Sequence, residues 1–238
     1  MPDAATDPVV VLVNGLPGAG KTTLARALSR GTLLPLLSKD AIKEAHADVF
    51  GAQPTNDWQQ RRWNAAFGAA ASETMWSLLA DAPGGAILES FWSADVHHLA
   101  AKGLRRAGCG RPLEIWCDVP LDLARQRFET RYPRHPIHGA LPGDEEWEHW
   151  REVARPIELG PVLRVDTARP VSIEPVIAWI ARQTREPARR ESAPGVDVRD
   201  EHADLGPAAQ PVRGLRPEPR ELREAAVDAA HRVDLEHP

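Results

Sequence analysis

The sequence predicts a three-layer α/β sandwich, a doubly wound five-stranded parallel sheet with helices on both faces. Three observations lead there. Five short apolar runs alternate with longer stretches of helical periodicity, the pattern of strands buried on both faces and joined by crossover helices. Crossovers between parallel strands are right-handed, which divides the helices between the two faces. The ends of the runs carry Gly15 to Thr22, Asp40, Glu89, Asp118 and Asp166, at the edge where such sheets gather ligands.

The first run, Val9-Val10-Val11-Leu12-Val13-Asn14, can only be a buried strand. It ends in Gly15-Leu16-Pro17-Gly18-Ala19-Gly20-Lys21-Thr22-Thr23, spaced as G-x-x-x-x-G-K-[ST], and a helical segment follows. Glycines let such a loop turn tightly and aim successive backbone N–H groups at one anion, while the following helix points its positive end at the same spot. Lys21 supplies a compact charge for β and γ phosphates, and the Thr22 hydroxyl can hold Mg²⁺. Gly15 to Thr23 is therefore the predicted nucleotide-phosphate loop.

The first helix is expected from Lys21 to Arg30, stopped by Gly31. Leu33 to Leu37 reads as a short second strand near an edge because of Pro35, and a helix follows from Ala41 to Phe50, with Asp40 at the junction. Thr55-Asn56-Asp57 offers caps for a long helix from Trp58 to Ala80, whose Trp63, Phe67, Ala70, Thr74 and Leu78 form one mostly apolar face. A third strand over Ala86 to Phe91 carries Glu89, and a helix over Ser93 to Arg106 closes at Gly108. A fourth strand, Pro112 to Cys117, precedes a helix from Leu121 to Thr130. Arg125 to Gly143 is rich in Arg, His, Pro and Gly and reads as too irregular for core. A short helix over Asp144 to Arg151, a fifth strand over Val162 to Asp166 and a last helix from Ile173 to Thr184 complete the domain, 1–184.

Composition bounds the function. A net charge of −5 argues against a broad nucleic-acid surface, which needs a strong basic excess. Cys109 and Cys117 lack metal-ligand spacing and read as reduced, inert thiols. The acidic N-terminus and the absence of any bilayer-length apolar run point to the cytoplasm and away from membranes. Only four of the 29 basic residues are Lys, and one is Lys21, with Lys39 and Lys43 flanking Asp40. Residues 185–238 hold nine Arg, twelve acidic residues and seven Pro, without periodicity until a possible helix over 220–235, so this tail is expected to be mostly disordered. Nothing in the sequence sets the oligomeric state.

A phosphate loop alone leaves both phosphoryl transfer and hydrolysis coupled to switching open. Asp40 favours transfer, because a carboxylate at the next strand end can orient an acceptor hydroxyl and take its proton. Its alternative role is the N-cap of its helix. Lys43, one turn on, would bind a negative or polar part of the acceptor. Arg127 and Arg131, four apart on one helix face, and then Arg134 are suited to the charge of a transferring phosphoryl group on a closing lid, 125–143. Glu89 has three readings: a water-mediated Mg²⁺ contact, an acceptor-hydroxyl contact, or no role. Asp118 reads as a helix cap, and Trp58, Trp63 and Trp92 could line an acceptor pocket.

Gly15 to Thr23, Ser38-Lys39-Asp40-Ala41-Ile42-Lys43, and Arg127-Phe128-Glu129-Thr130-Arg131 with Arg134-His135-Pro136-Ile137-His138 together resemble the small P-loop kinases. That group includes polynucleotide 5′-kinase domains, chloramphenicol phosphotransferase and zeta-toxin-like kinases. The resemblance covers about residues 8–184. It implies a nucleoside-monophosphate-kinase-like fold, ATP and Mg²⁺, a base at Asp40, an acceptor contact at Lys43, an Arg-bearing lid from Arg127 to Arg134, and passage of Arg164 to Arg169 near the adenine. The expected function is transfer of the ATP γ-phosphoryl group to a hydroxyl of a small molecule such as a sugar, nucleoside or antibiotic-like metabolite. A polynucleotide 5′-hydroxyl is the nearer alternative and an ATP-binding switch the more distant one.

Overall fold

Strand β1, Val9–Asn14, is the centre of the molecule, because its Val and Leu side chains are buried on both faces. The structure, a computed structural model, describes residues 8–53, 60–132 and 134–185. The expectations for the Thr55-Asn56-Asp57 caps, for Trp58 and for the tail beyond 185 lie outside the described residues. In chain order the elements are β1, α1 (Lys21–Thr32), β2 (Leu36–Ser38), α2 (Lys39–Phe50), α3 (Gln60–Ala80), β3 (Gly85–Glu89) and α4 (His97–Arg106, after a 3-10 turn Ala94–Val96). There follow β4 (Leu113–Asp118), α5 (Leu121–Thr130), a 3-10 turn Pro136–His138, α6 (Asp144–Val153), β5 (Val162–Asp166) and α7 (Glu174–Arg185). The predicted three-layer α/β class is what forms. The strands lie in the order β2-β3-β1-β4-β5, every pair parallel.

That order positions the site. From β1 the chain turns toward β2 on one side, and from β4 toward β5 on the other, so the crevice between β1 and β4 opens where the glycine-rich loop leaves β1. Alternate side chains of β1 then feed two cores. Val11 and Val13 pack with Ile87, Ile115, α1 (Leu24, Leu28) and α7 (Val176, Ile180). Val10 and Leu12 pack with Leu88, α3 (Met75, Trp76) and α4 (Ala100, Leu104). A third, smaller cluster joins Ala47, Trp63, Phe67 and Ile137.

Several local expectations are corrected by packing. Helix α1 does not stop at Gly31 but runs to Thr32 and turns at Leu33, φ 62°. Gly31 is where α7 approaches, since a Cβ there would lie 2.5 Å from Ile177 Cδ1. The second strand is accordingly shorter and later than Leu33 to Leu37. The buried face of α3 is Trp63, Phe67, Ala71, Met75, Trp76 and Leu79 rather than a stripe through Ala70, Thr74 and Leu78, because Leu78 stays 47% exposed. Arg125 to Gly143 is not wholly outside the core either. It contains most of α5, and Ile137 is fully buried against α3.

Gly18 is the tightest backbone contact of the loop. Its φ is +86°, and a Cβ would sit 2.0 Å from the Ala124 carbonyl oxygen. Gly18→Ala is expected to cost about 2–5 kcal/mol, left-handed strain and overpacking together. Denaturant unfolding measures this, and a cost under about 1 kcal/mol would contradict the close approach.

Candidate active site

Gly15, Gly18 and Gly20, with φ of +143°, +86° and +84°, wrap the loop from β1 into α1, and Gly20 is the N-cap of that helix without a side-chain cap. The Lys21 ammonium is buried and donates to the Leu16 carbonyl at 2.9 Å, so it is folded back over the loop. Burial pulls its pKa below the ordinary lysine value, opposed by Glu89 and Asp40. Those carboxylates therefore act on the loop lysine directly. Leu16 and Ala19 are buried in the core, Pro17 and Thr22 are half-buried, and Thr23 is exposed.

Glu89 closes β3, whose partners at that register are Val13 and Ser38. It is 3% exposed, with one oxygen accepting from Thr22 Oγ1 at 3.3 Å and the other from Ser38 Oγ at 2.6 Å. A buried carboxylate beside a threonine hydroxyl is a set of hard oxygen donors, which fits Mg²⁺. Of the readings open for Glu89, the one without a role is not supported by this placement.

Asp40 occupies the first turn of α2 and is not its N-cap, a position held by Ser38. Its carboxylate accepts from Arg134 Nη2 at 3.1 Å. Burial pushes its pKa up, but His138, Arg134, Lys21 and Lys43 together hold it below the ordinary aspartate value. Lys43 is 7% exposed and donates to Asn64 Oδ1 of α3. Burial lowers its pKa to about 8 against the pull of Asp40.

Two further pairs continue the Asp40–Arg134 contact along α2. Glu44 accepts from His138 Nε2 at 2.7 Å and Asp48 from His135 Nε2 at 3.0 Å. Asp40, Glu44 and Asp48 are spaced by four, so one acidic face of α2 meets Arg134, His138 and His135 in turn. That spacing is a sequence signal for Glu44, whereas nothing local in the sequence marks His138, Ser38 or Asn64 as its neighbours in the site.

The other lid arginines divide. Arg127 donates to the carbonyls of Thr167 and Ala168, both at 2.8 Å, which fastens α5 to the loop after β5. Arg131 donates through Nε to the Arg127 carbonyl, and burial together with Arg134 and Arg127 lowers its pKa. Both line a cavity of about 710 Å³ with Gly18, Gly20, Thr23 and Arg169. Asp40, Lys43 and Glu89 do not line it.

Two expectations fail here and a third holds. Asp118 caps no helix, since its side chain faces Arg164 at 3.5 Å and Pro120 precedes α5. Trp63 and Trp92 are each 6% exposed and packed in two of the cores, and neither lines the cavity. Cys109 and Cys117 are buried free thiols, Cys117 pushed up to about 12 by burial, which agrees with inertness.

The AAA-domain family model matches residues 10–157, from β1 to beyond α6. This chain belongs to the AAA-domain family. The AAA-domain chain is also similar to a candidate kinase of Chloroflexus aurantiacus, 31% identical over 74% of this chain and 97% of that one, with a TM-score of 0.63. A sugar kinase of Janibacter, 19% identical over 74% of this chain and 98% of that one at TM-score 0.50, shares the fold. No curated protein matches the sequence. The chain thus has a kinase-like P-loop fold. Among the described residues no helix is long and apolar enough to cross a membrane.

Proposed function

We propose that this AAA-domain chain is an ATP-dependent kinase that phosphorylates a hydroxyl of a small molecule. The observation that carries this reading is the Asp40 carboxylate, paired with Arg134 at the sheet edge that also bears the glycine-rich loop and Glu89. In this reading the kinase domain spans 1–184 with a lid over 125–143, and the triphosphate lies along Gly15 to Thr23 with Lys21 on its outer phosphates. The base and ribose take the cavity between α1, α5 and the loop after β5.

Thr22 and Glu89 would hold Mg²⁺, which when bound neutralises charge on the β and γ phosphates. Asp40 orients the acceptor hydroxyl and accepts its proton as that oxygen bonds to the γ-phosphorus. The bond to the β–γ bridging oxygen breaks in the same step and ADP leaves. Arg131 and Arg134 would balance the charge of the transferring group, and Arg127 fastens α5 to the loop after β5.

Lys43 is placed for a polar or anionic part of the acceptor. Its ammonium is charged below about pH 8 and loses its charge above, while Asp40 stays ionised through that window. The acceptor KM should therefore rise as pH passes about 8. Lys43→Met should raise that KM by about 10–100-fold at pH 7, leave ATP affinity unchanged and remove the alkaline limb. Steady-state kinetics between pH 6 and 9.5 read all three, and a persistent limb would assign the titration elsewhere.

The class of acceptor is tested by ADP release with Mg·ATP and a panel of sugars, nucleosides, aminoglycoside-like compounds and a 5′-hydroxyl oligonucleotide. Acceleration by one small-molecule class supports the proposal. Acceleration by the oligonucleotide alone would replace it with polynucleotide phosphorylation.

A further inference from the structure

Glu114 is the second residue of β4, 1% exposed, opposite Leu12 of β1 and Val162 of β5. A carboxylate in that setting is costly to bury and normally has a cation. Among the described residues Glu114 has none. Its partners are three N–H donors: Asn14 Nδ2 at 2.9 Å and the Ile157 N–H at 3.1 Å on one oxygen, and the Glu158 N–H at 3.0 Å on the other. Glu158 holds a left-handed φ of 56°, so this carboxylate also fastens a strained turn.

Asn14 is the last residue of β1 and is fully buried. Its Oδ1 accepts from the Gly15 N–H at 2.8 Å and the Trp92 N–H at 3.0 Å, while Nδ2 donates to the Trp92 carbonyl at 3.0 Å as well as to Glu114. One amide thus ties the first residue of the phosphate loop to the segment three residues beyond Glu89. The amide works only one way round. If it flipped, its NH₂ would face two N–H donors and its oxygen would face a carbonyl and a carboxylate.

We propose that Glu114 is a positioning residue, which fixes the orientation of the Asn14 amide and through it the spacing between the phosphate loop and Glu89. The inference rests on the reading of Gly15 to Thr23 as a nucleotide-phosphate loop, and not on the identity of any acceptor. Glu114→Met keeps most of the volume but removes both acceptor oxygens, so nothing holds the Asn14 NH₂ on the β4 side and the Ile157 and Glu158 N–H groups lose their partner. Asn14→Ala removes the amide and leaves Glu114 with Ile157 and Glu158.

The test is Mg·ADP affinity by calorimetry on the full chain, wild type against Glu114→Met, Asn14→Ala and the double variant, each with its thermal midpoint. Each single change is expected to weaken binding by about 10–100-fold, the usual effect of a supporting partner one contact removed. The double variant should lie within about twofold of the weaker single, because both act through one amide. Glu114→Met or Asn14→Ala binding within twofold of wild type would overturn the proposal. So would a double variant whose loss is the product of the two, or loss of the fold in Asn14→Ala. A wild type that does not bind Mg·ADP would remove the phosphate-loop reading and this one with it. Tight binding without transfer to any hydroxyl would remove only the kinase.

Discussion

Asp40→Asn is expected to lower turnover by about 10²–10⁴-fold while Mg·ATP affinity stays within about twofold of wild type. The side chains have the same shape, and the Asn oxygen can still accept from Arg134, so the lid contact seen at 3.1 Å need not open. What is lost is the ability to take a proton. The cationic groups Arg134, Lys21 and Lys43 and the nearby His138 hold Asp40 below the ordinary aspartate value, so the base is ionised throughout the neutral range. Any acid limb that it contributes must lie below that value, and the Asn variant should lack it. Unchanged turnover in the variant would remove Asp40 from the chemistry.

The second large effect is at Lys21. Lys21→Met fills nearly the same volume but removes a positive charge that interacts with Glu89, which is 3% exposed. It also takes away the ammonium folded onto Leu16. Removing one partner of a buried charge interaction costs about 2–5 kcal/mol, so Mg·ATP binding should weaken by roughly 30-fold to several thousand-fold. Equilibrium binding of a fluorescent ATP analogue reads this, with circular dichroism to show that the fold persists. A loss below about threefold would mean that the lysine is only a structural tether for the loop.

The phosphate loop was legible because its chemistry is contiguous: strand, glycines, Lys21 and Thr22 follow one another, and backbone geometry does the rest. Asp40 and Glu89 were legible for a related reason, since a charged residue at the end of an apolar run falls on the ligand edge of a parallel sheet. What could not be read depends on pairs far apart in the chain. The Asn14–Glu114 bond spans 100 positions, and the Arg127 contacts to Thr167 and Ala168 span 40 and 41. Gly31 looked like a helix stop because only α7 explains a glycine inside α1. The α3 stripe was displaced because period alone gives a face, whereas α2, α4 and Ile137 decide which face is covered. Asp40, Glu44 and Asp48 were a visible acidic row, but their histidine partners lie in an irregular segment with no period to announce it.

The central claim is that the phosphoryl group goes to a hydroxyl and not to water. Following Mg·ATP consumption by ³¹P NMR with the acceptor class found active tests it most directly. A new phosphate-ester resonance is expected to grow in one-to-one proportion with ADP and to be absent in Asp40→Asn. Inorganic phosphate as the sole product, at the same rate with and without acceptor, would contradict it.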